Sequence, residues 1–270
     1  MLDVPAISLN QATLRLDGKI LWRDLALTVP RGEFLAVLGP NGTGKTSLLR
    51  TLLGLLSLSG GRVEVLGQAP RRGNPAVGYV PQQRAFDPDL PLRGRDLVTL
   101  GLNGHRWGFS LNPRGAQRRV DEMLSLVGAQ EYAHAPIGRL SGGEQQRLRI
   151  AQALIGEPQV LLCDEPLLSL DLNYQQTIVE LLADWNRRRG VTVVFVTHDI
   201  NPLLAVIDRV LLLAAGRWAV GHPDQALTSE TLSRLYGLPV EVLRIGGRVV
   251  VLGAELGGHE PLPELPVVVR

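Results

Sequence analysis

Two spacings of apolar residues alternate along the chain. Ile7–Leu16 and Leu21–Val29 switch between apolar and polar on either side of Asp17-Gly18, which predicts a β-hairpin with a two-residue turn. Phe34–Leu38 is a short, unbroken apolar run; a glycine-rich loop and a helical stretch over Thr46–Leu56 follow it. Val63–Leu66 and Val77–Val80 read as further short strands. Val160–Cys163 and Val191–Thr197 are continuously apolar, as strands buried on both faces of a parallel sheet are. Between them runs an amphipathic helix, Tyr174–Arg188, closed by Gly190. Val210–Ala215 predicts another strand. A helix around Ser229–Tyr236 then precedes a second hairpin, Val240–Ile245 and Arg248–Leu252 about Gly246-Gly247, and a tail rich in Pro and Gly.

The middle differs in character. From about Arg84 to Leu140 the chain is punctuated by Pro and Gly, with a helical pattern at Gln117–Val127, and reads as a mostly helical insertion. A helix then runs from Ser141 to about Ile155, where Gly156–Pro158 stops it. Strands alternating with helices predict an α/β fold. With 45% hydrophobic and 20% charged residues the chain can build a real core. The net charge of +2 and a basic set that is almost all arginine give no strong positive field, so no nucleic-acid partner is expected. The single cysteine, Cys163, rules out an internal disulfide and a Cys-based metal site; it reads as a small buried apolar residue. Met1–Asn10 lacks the pattern of a secretion signal, and the longest apolar runs fall far short of the ~20 residues that cross a bilayer.

Three segments carry chemistry. Gly39-Pro40-Asn41-Gly42-Thr43-Gly44-Lys45-Thr46, followed by Ser47, fits G-x-x-x-x-G-K-[ST] between a strand and a helix. Backbone N–H groups there can turn onto phosphates, Lys45 can reach the β- and γ-phosphates, and the Thr46 hydroxyl can hold Mg²⁺. Leu161-Leu162-Cys163-Asp164-Glu165 is an apolar strand ending in two carboxylates: Asp164 suits the Mg²⁺ shell, and Glu165 suits polarising an attacking water. Leu140-Ser141-Gly142-Gly143-Glu144-Gln145-Gln146-Arg147 sets a serine and two glycines before a helix, which reads as an N-cap or as a second phosphate cradle.

That last run resembles the signature of ABC (ATP-binding cassette) ATPases, and its place between the phosphate loop and the carboxylate strand is the family's order. Gln82, in Tyr79-Val80-Pro81-Gln82, resembles the Q-loop glutamine that touches Mg²⁺ and the attacking water. Ser169-Leu170-Asp171 resembles the D-loop, and His198 the switch histidine at the γ-phosphate. The resemblance covers about Ile7 to Gly221 and implies a RecA-like P-loop core (1–83 and 156–225) with an N-terminal antiparallel β subdomain. It also implies a helical subdomain (about 84–155) and a small C-terminal α/β extension (226–270). It further implies ATP and Mg²⁺ as ligands, and a homodimer in which the phosphate loop of one copy and the signature of the other, Ser141, Gly142 and Gly143, enclose each ATP. The implied location is peripheral, at the cytoplasmic face of a membrane, with integral permease subunits and, indirectly, an extracytoplasmic substrate-binding protein as partners.

Leu97–Gly108 resembles the helical insertion of zinc and manganese importers, and the segment from Leu227 to Val242 resembles cassettes of metal and iron-siderophore importers, which together imply a divalent metal ion as cargo, with siderophore or haem as the near alternative. A non-transport ABC ATPase is the reading of a different class; the absence of heptad runs and of a second cassette weighs against its DNA-repair and translation forms. Two positions depart from the family pattern: Leu16 stands where an aromatic usually stacks on adenine, with Trp22 nearby expected to face the core, and Gln152 stands where arginine is common.

Overall fold

The computed structural model describes residues 4–82, 86–103, 113–168 and 170–253. Ser169, His105, His259, residues 104–108 of the importer-like stretch and the Pro/Gly-rich tail therefore lie outside the described residues. The chain divides into two compact units, Met1–Arg72 with Val196–Arg270, and Gly73–Phe195.

In the first unit β1 (Ile7–Leu16) and β2 (Lys19–Val29) form the expected hairpin, in register from Ile7↔Val29 to Leu16↔Lys19. Its turn residues Asp17 and Gly18 both have positive φ (49° and 79°), the geometry a tight two-residue turn demands. β3 (Phe34–Leu38) is buried throughout, and helix α1 (Lys45–Leu52) follows it. β4 (Gly60–Val65) pairs antiparallel with the other side of β1, completing the three-stranded antiparallel layer. The alternating burial of β1 and β2 puts Leu9, Leu14, Trp22, Leu25 and Val29 in the core.

The chain returns to this unit after Phe195. β8 (Arg209–Ala214) lies parallel to β3, with Leu35↔Arg209 to Leu38↔Leu212 in register. β9 (Arg217–Gly221) folds back antiparallel on β8. α6 (Pro223–Ala226), α7 (Ser229–Tyr236) and the hairpin β10 (Val240–Ile245) with β11 (Arg248–Gly253) complete it. Arg209 grips the buried Glu33 through two 3.0 Å bonds, while Asp208 accepts from the Phe34 N–H at 2.8 Å. Burial pushes the Glu33 carboxyl above its ordinary pKa, with the Arg209 hydrogen bond and charge pulling the other way.

In the second unit β5 (Val77–Val80) and β6 (Val160–Asp164) are parallel neighbours, and β7 (Thr192–Val196) is next to β6. Before β6 come α2 (Gly94–Asn103), α3 (Pro113–Leu126) and α4 (Gly142–Leu154), the helical insertion expected from the sequence. α4 has buried side chains on every face, including Gln145, Gln146, Arg147 and Arg149, which explains its weak amphipathic pattern. α5 (Leu172–Arg189) joins β6 to β7 and ends, as expected, at Gly190 in the left-handed conformation.

Candidate functional site

The phosphate loop is built from β3 outward. Gly39 has φ 154°, and a Cβ on it would stand 2.1 Å from the Leu213 carbonyl oxygen on β8, so only glycine allows this approach. Gly44 caps α1 at φ 96°; a Cβ there would fall 2.9 Å from the indole Nε1 of Trp22. Trp22 is fully buried, as expected, and forms the floor under the loop; Leu16 is partly exposed. Between the two glycines, Pro40, Asn41 and Gly42 are exposed and Thr43 donates to the Pro40 carbonyl at 2.9 Å. Lys45 is buried, and its Nζ donates to the carbonyls of Gly39 (2.7 Å) and Pro40 (3.1 Å), bridging the mouth of the loop.

The helix starts differ in a telling way. α4, α5, α6 and α7 each have a side chain bonded to their first-turn N–H groups, whereas α1 has none. α1 thus starts without a side-chain cap, and the dipole of such a helix start favours an anion there. This fits a polyphosphate. Thr46 lies in the first turn of the same helix, with Ser47 beside it.

His198 enters this unit from the end of β7. The Thr197 N–H donates to the Val37 carbonyl on β3 at 3.1 Å, which sets the loop carrying His198 beside the strand that leads into the phosphate loop. The Thr197 hydroxyl donates to the Asp199 carbonyl (2.8 Å) and accepts from the Asp199 N–H (3.1 Å), closing a clasp around the exposed His198.

In the second unit the parallel register brings two expected residues together. Val80 pairs with Cys163, so Gln82 and Glu165, each two residues further on, emerge side by side. The Gln82 side-chain amide donates to Glu165 Oε2 at 3.2 Å. Glu165 has φ 49°, a strained value for a non-glycine residue that redirects its carboxylate as the strand ends. Asp164 is 1% exposed at the tip of β6. Hard carboxylate and hydroxyl oxygens, Asp164 on β6 and Thr46 on α1, are the donor types Mg²⁺ takes. Burial pushes the thiol of Cys163 up, in keeping with an inert apolar role.

Ser141 caps α4 within a capping box. Its N–H and its hydroxyl both donate to Glu144 Oε2 at 2.7 Å, and its hydroxyl accepts from the Glu144 N–H at 3.4 Å. Gly142 and Gly143 form the first turn. Asp171 caps α5, accepting from the N–H groups of Asn173 and Tyr174 at 3.1 Å.

Sequence reasoning missed three contributors. Glu144 closes the box, and the S-x-x-E spacing was the signal for it. Arg147 packs between the rings of Tyr132 (5.2 Å) and Tyr174 (4.1 Å), joining α4 to the start of α5. Phe86, four residues beyond Gln82, offers its N–H to Gln145 (3.4 Å) and its ring to Arg149 (4.3 Å).

An uncapped helix start behind a glycine loop, with a lysine across its mouth, puts the chain among P-loop nucleotide-binding proteins. The sequence profile described as ABC transporter matches residues 22–168. The manganese transport system ATP-binding protein MntB of Bacillus subtilis is 34% identical over 86% of this chain and 92% of its own length. The zinc transport system ATP-binding protein TroB of Treponema pallidum is 37% identical over 86% of this chain and 87% of its own. Among solved structures, a dimeric ATP-binding cassette in a post-hydrolysis state with ADP and phosphate superposes with a TM-score of 0.69 at 28% identity, over 78% of this chain and 95% of that one. The chain belongs to the ABC transporter family and is one of its ATPases.

Proposed function

We propose that this chain is the ATP-hydrolysing subunit of an importer for divalent metal cations of the manganese and zinc kind. Two copies act as a pair, each ATP lying between the phosphate loop of one and Ser141, Gly142 and Gly143 of the other. The observation that carries the pairing is the presence on one chain of two helix starts suited to phosphate, of unlike make-up. α1 has a lysine and no cap, while α4 has a serine cap and no lysine. A phosphate at α4 therefore has to be shared with a loop that supplies the positive charge. Leu168 and Leu172, 37% and 79% exposed on either side of Asp171, offer apolar surface for a second copy.

In this reading Lys45 and the backbone N–H groups at the uncapped start of α1 hold the β- and γ-phosphates. Thr46, Asp164 and Gln82 would hold Mg²⁺, which would supply positive charge to the phosphate oxygens. Glu165 accepts the proton of the attacking water, and the Gln82 amide keeps that carboxylate aimed. His198 contacts the γ-phosphate from its clasped loop. Integral permease subunits dock near Gln82 and the helical insertion, at the cytoplasmic face, and an extracytoplasmic binding protein delivers the cation. The names of the manganese and zinc relatives support the choice of cargo.

The test is ATP turnover and sedimentation of the parent and of Glu165→Gln with ATP and Mg²⁺, followed by uptake of radioactive manganese or zinc by vesicles containing the permease. Loss of turnover with ATP-dependent dimerisation of the variant, and ATP-dependent metal uptake by the parent, are expected. Full turnover in Glu165→Gln, or a variant that stays monomeric with ATP, would overturn the mechanism; uptake of neither metal would overturn the cargo.

A further inference from the structure

The C-terminal hairpin has a connection that the proposed chemistry does not use. Among the described residues β10 and β11 pair only with each other, so each presents an outer edge of backbone groups. The β10 edge is held by two serines of α7. The Val240 N–H donates to Ser233 Oγ (2.8 Å), which donates back to the Val240 carbonyl (3.1 Å), and the Val242 N–H donates to Ser229 Oγ (2.9 Å). α7 is itself anchored by buried Leu232 and Leu235 and capped by Thr228 and Gly237.

Among the described residues the β11 edge is bonded by Asn201. Its Oδ1 accepts from the Val249 N–H at 2.8 Å and its Nδ2 donates to the Val249 carbonyl at 3.1 Å, as a neighbouring strand would. The second Nδ2 hydrogen and the Asn201 N–H both go to Asp199 Oδ1, each at 2.9 Å. One side-chain amide thus spends both of its donors and an acceptor between the hairpin and the residue next to His198.

His198 consequently sits on a loop fixed on both sides. Thr197 clasps Asp199 around it, and Asp199 is tied through Asn201 to β11. The hairpin is a firm post. Val240 and Val249 are its buried side chains, whereas Ile245, Val250, Val251 and Leu252 are exposed, so the polar clamps on its two edges do much of the holding. A two-stranded hairpin without such support is marginal in water.

We propose that Asn201 is a positioning residue for His198 and that the C-terminal hairpin holds Asn201 in place. The proposal rests on the reading of His198 as the residue that contacts the γ-phosphate. Without the clamp, the loop samples orientations in which His198 misses its target, so the chemical step slows while ATP still binds through α1 and its loop.

The experiment measures kcat and KM for ATP in the full-length chain, with melting temperature as a check on folding. The variants are Asn201→Ala, Val249→Pro and His198→Ala, with Asn201→Ala combined separately with each of the other two. Val249→Pro removes the N–H that points at Asn201 while leaving the ladder to β10 intact, and it also replaces the buried Val249 side chain, which the melting temperature checks. Ser229→Ala with Ser233→Ala loosens the hairpin from its other edge and serves if the proline variant does not fold. Asn201→Ala is expected to lower kcat about tenfold with KM within about twofold of the parent, and Val249→Pro to reproduce this without adding to it. In the His198→Ala background Asn201→Ala should change nothing further, a non-additivity that general destabilisation would not give. A parental kcat in Asn201→Ala overturns the proposal, as does the same tenfold loss in the His198→Ala background. A loss in Asn201→Ala with parental turnover in the hairpin variants removes the hairpin from the account. Full turnover in His198→Ala would instead defeat the underlying reading of the site.

Discussion

Glu144→Gln separates the two demands placed on the start of α4. In the free chain the Glu144 carboxylate takes hydrogen bonds from both the N–H and the hydroxyl of Ser141 at 2.7 Å. A negative charge thus occupies the place where, in the proposed pair, a γ-phosphate must arrive. If the carboxylate stays within ~5 Å of that phosphate, repulsion at an effective dielectric of ~40 is ~1.7 kcal/mol per unit of phosphate charge. If it swings into solvent instead, the capping box is lost, at about 1 kcal/mol. Either route costs on the order of 1–2 kcal/mol per site, roughly a 5- to 30-fold weakening of the pair.

Glutamine keeps the box, since its amide oxygen can accept the same bonds, but drops the charge. Sedimentation with ATP and Mg²⁺ in the Glu165→Gln background should therefore show a pair 5- to 30-fold tighter per site, with the gain shrinking as salt is raised. The free chain should be slightly less stable, by ~0.5 kcal/mol, because a negative charge near a helix N-terminus is favourable. The two changes have opposite signs, so a general effect on folding cannot imitate them. An unchanged or weaker pair in Glu144→Gln would refute the reasoning.

Other perturbations have equally definite outcomes. Gly39→Ala would drive a Cβ to 2.1 Å from the Leu213 carbonyl; a loss of about 2–4 kcal/mol in denaturant unfolding and of ATP binding is expected. Arg209→Met leaves Glu33 buried without its bidentate partner and should cost about 2–3 kcal/mol at neutral pH, less than a fully buried pair because Arg209 is partly exposed. The Glu33 carboxyl is already raised by burial, and a raised folded pKa gives stability that is complete below the unfolded value and is lost as pH rises through the folded one. The deficit of Arg209→Met should accordingly be smaller in melts at pH 5 than at pH 8. Burial pushes Tyr132 up to about 12, so absorbance titration of the native chain should show a phenol whose ionisation is delayed relative to the same titration in denaturant. Cys163 should resist a thiol reagent until the chain unfolds, and reaction in the native state would contradict its burial.

Local chemistry explains why parts of this structure could be read from the sequence. Asp17-Gly18 and Gly246-Gly247 announce tight turns, and the unbroken apolar runs of β3, β6 and β7 announce buried strands. β9 escaped because Ala215-Gly216 is a weaker turn signal, although both residues adopt positive φ (48° and 79°). α2 is hidden because its entry is masked by Pro88, Pro91 and Gly94, and the apolar pattern extends the first helix through Leu56, where the structure ends it at Leu52. The segments of the site were legible for the same reason: a glycine loop, a carboxylate pair and a serine cap are each contiguous. The meeting of Gln82 with Glu165 was not, since it depends on which residue of β5 faces which residue of β6. Nor was the clamp of Asn201 on Val249, where 48 residues separate partners joined by a single amide.

The stack of Tyr132, Arg147 and Tyr174 acts like a rivet between two helices. It fastens the beginning of α5, and with it Asp171 and the outward Leu172, to the helix that starts at Ser141. A second protomer would then meet a prefabricated face rather than two loops to be arranged on arrival. The entropy of aligning them is lost when the monomer folds, leaving more of the energy of nucleotide binding for closing the pair.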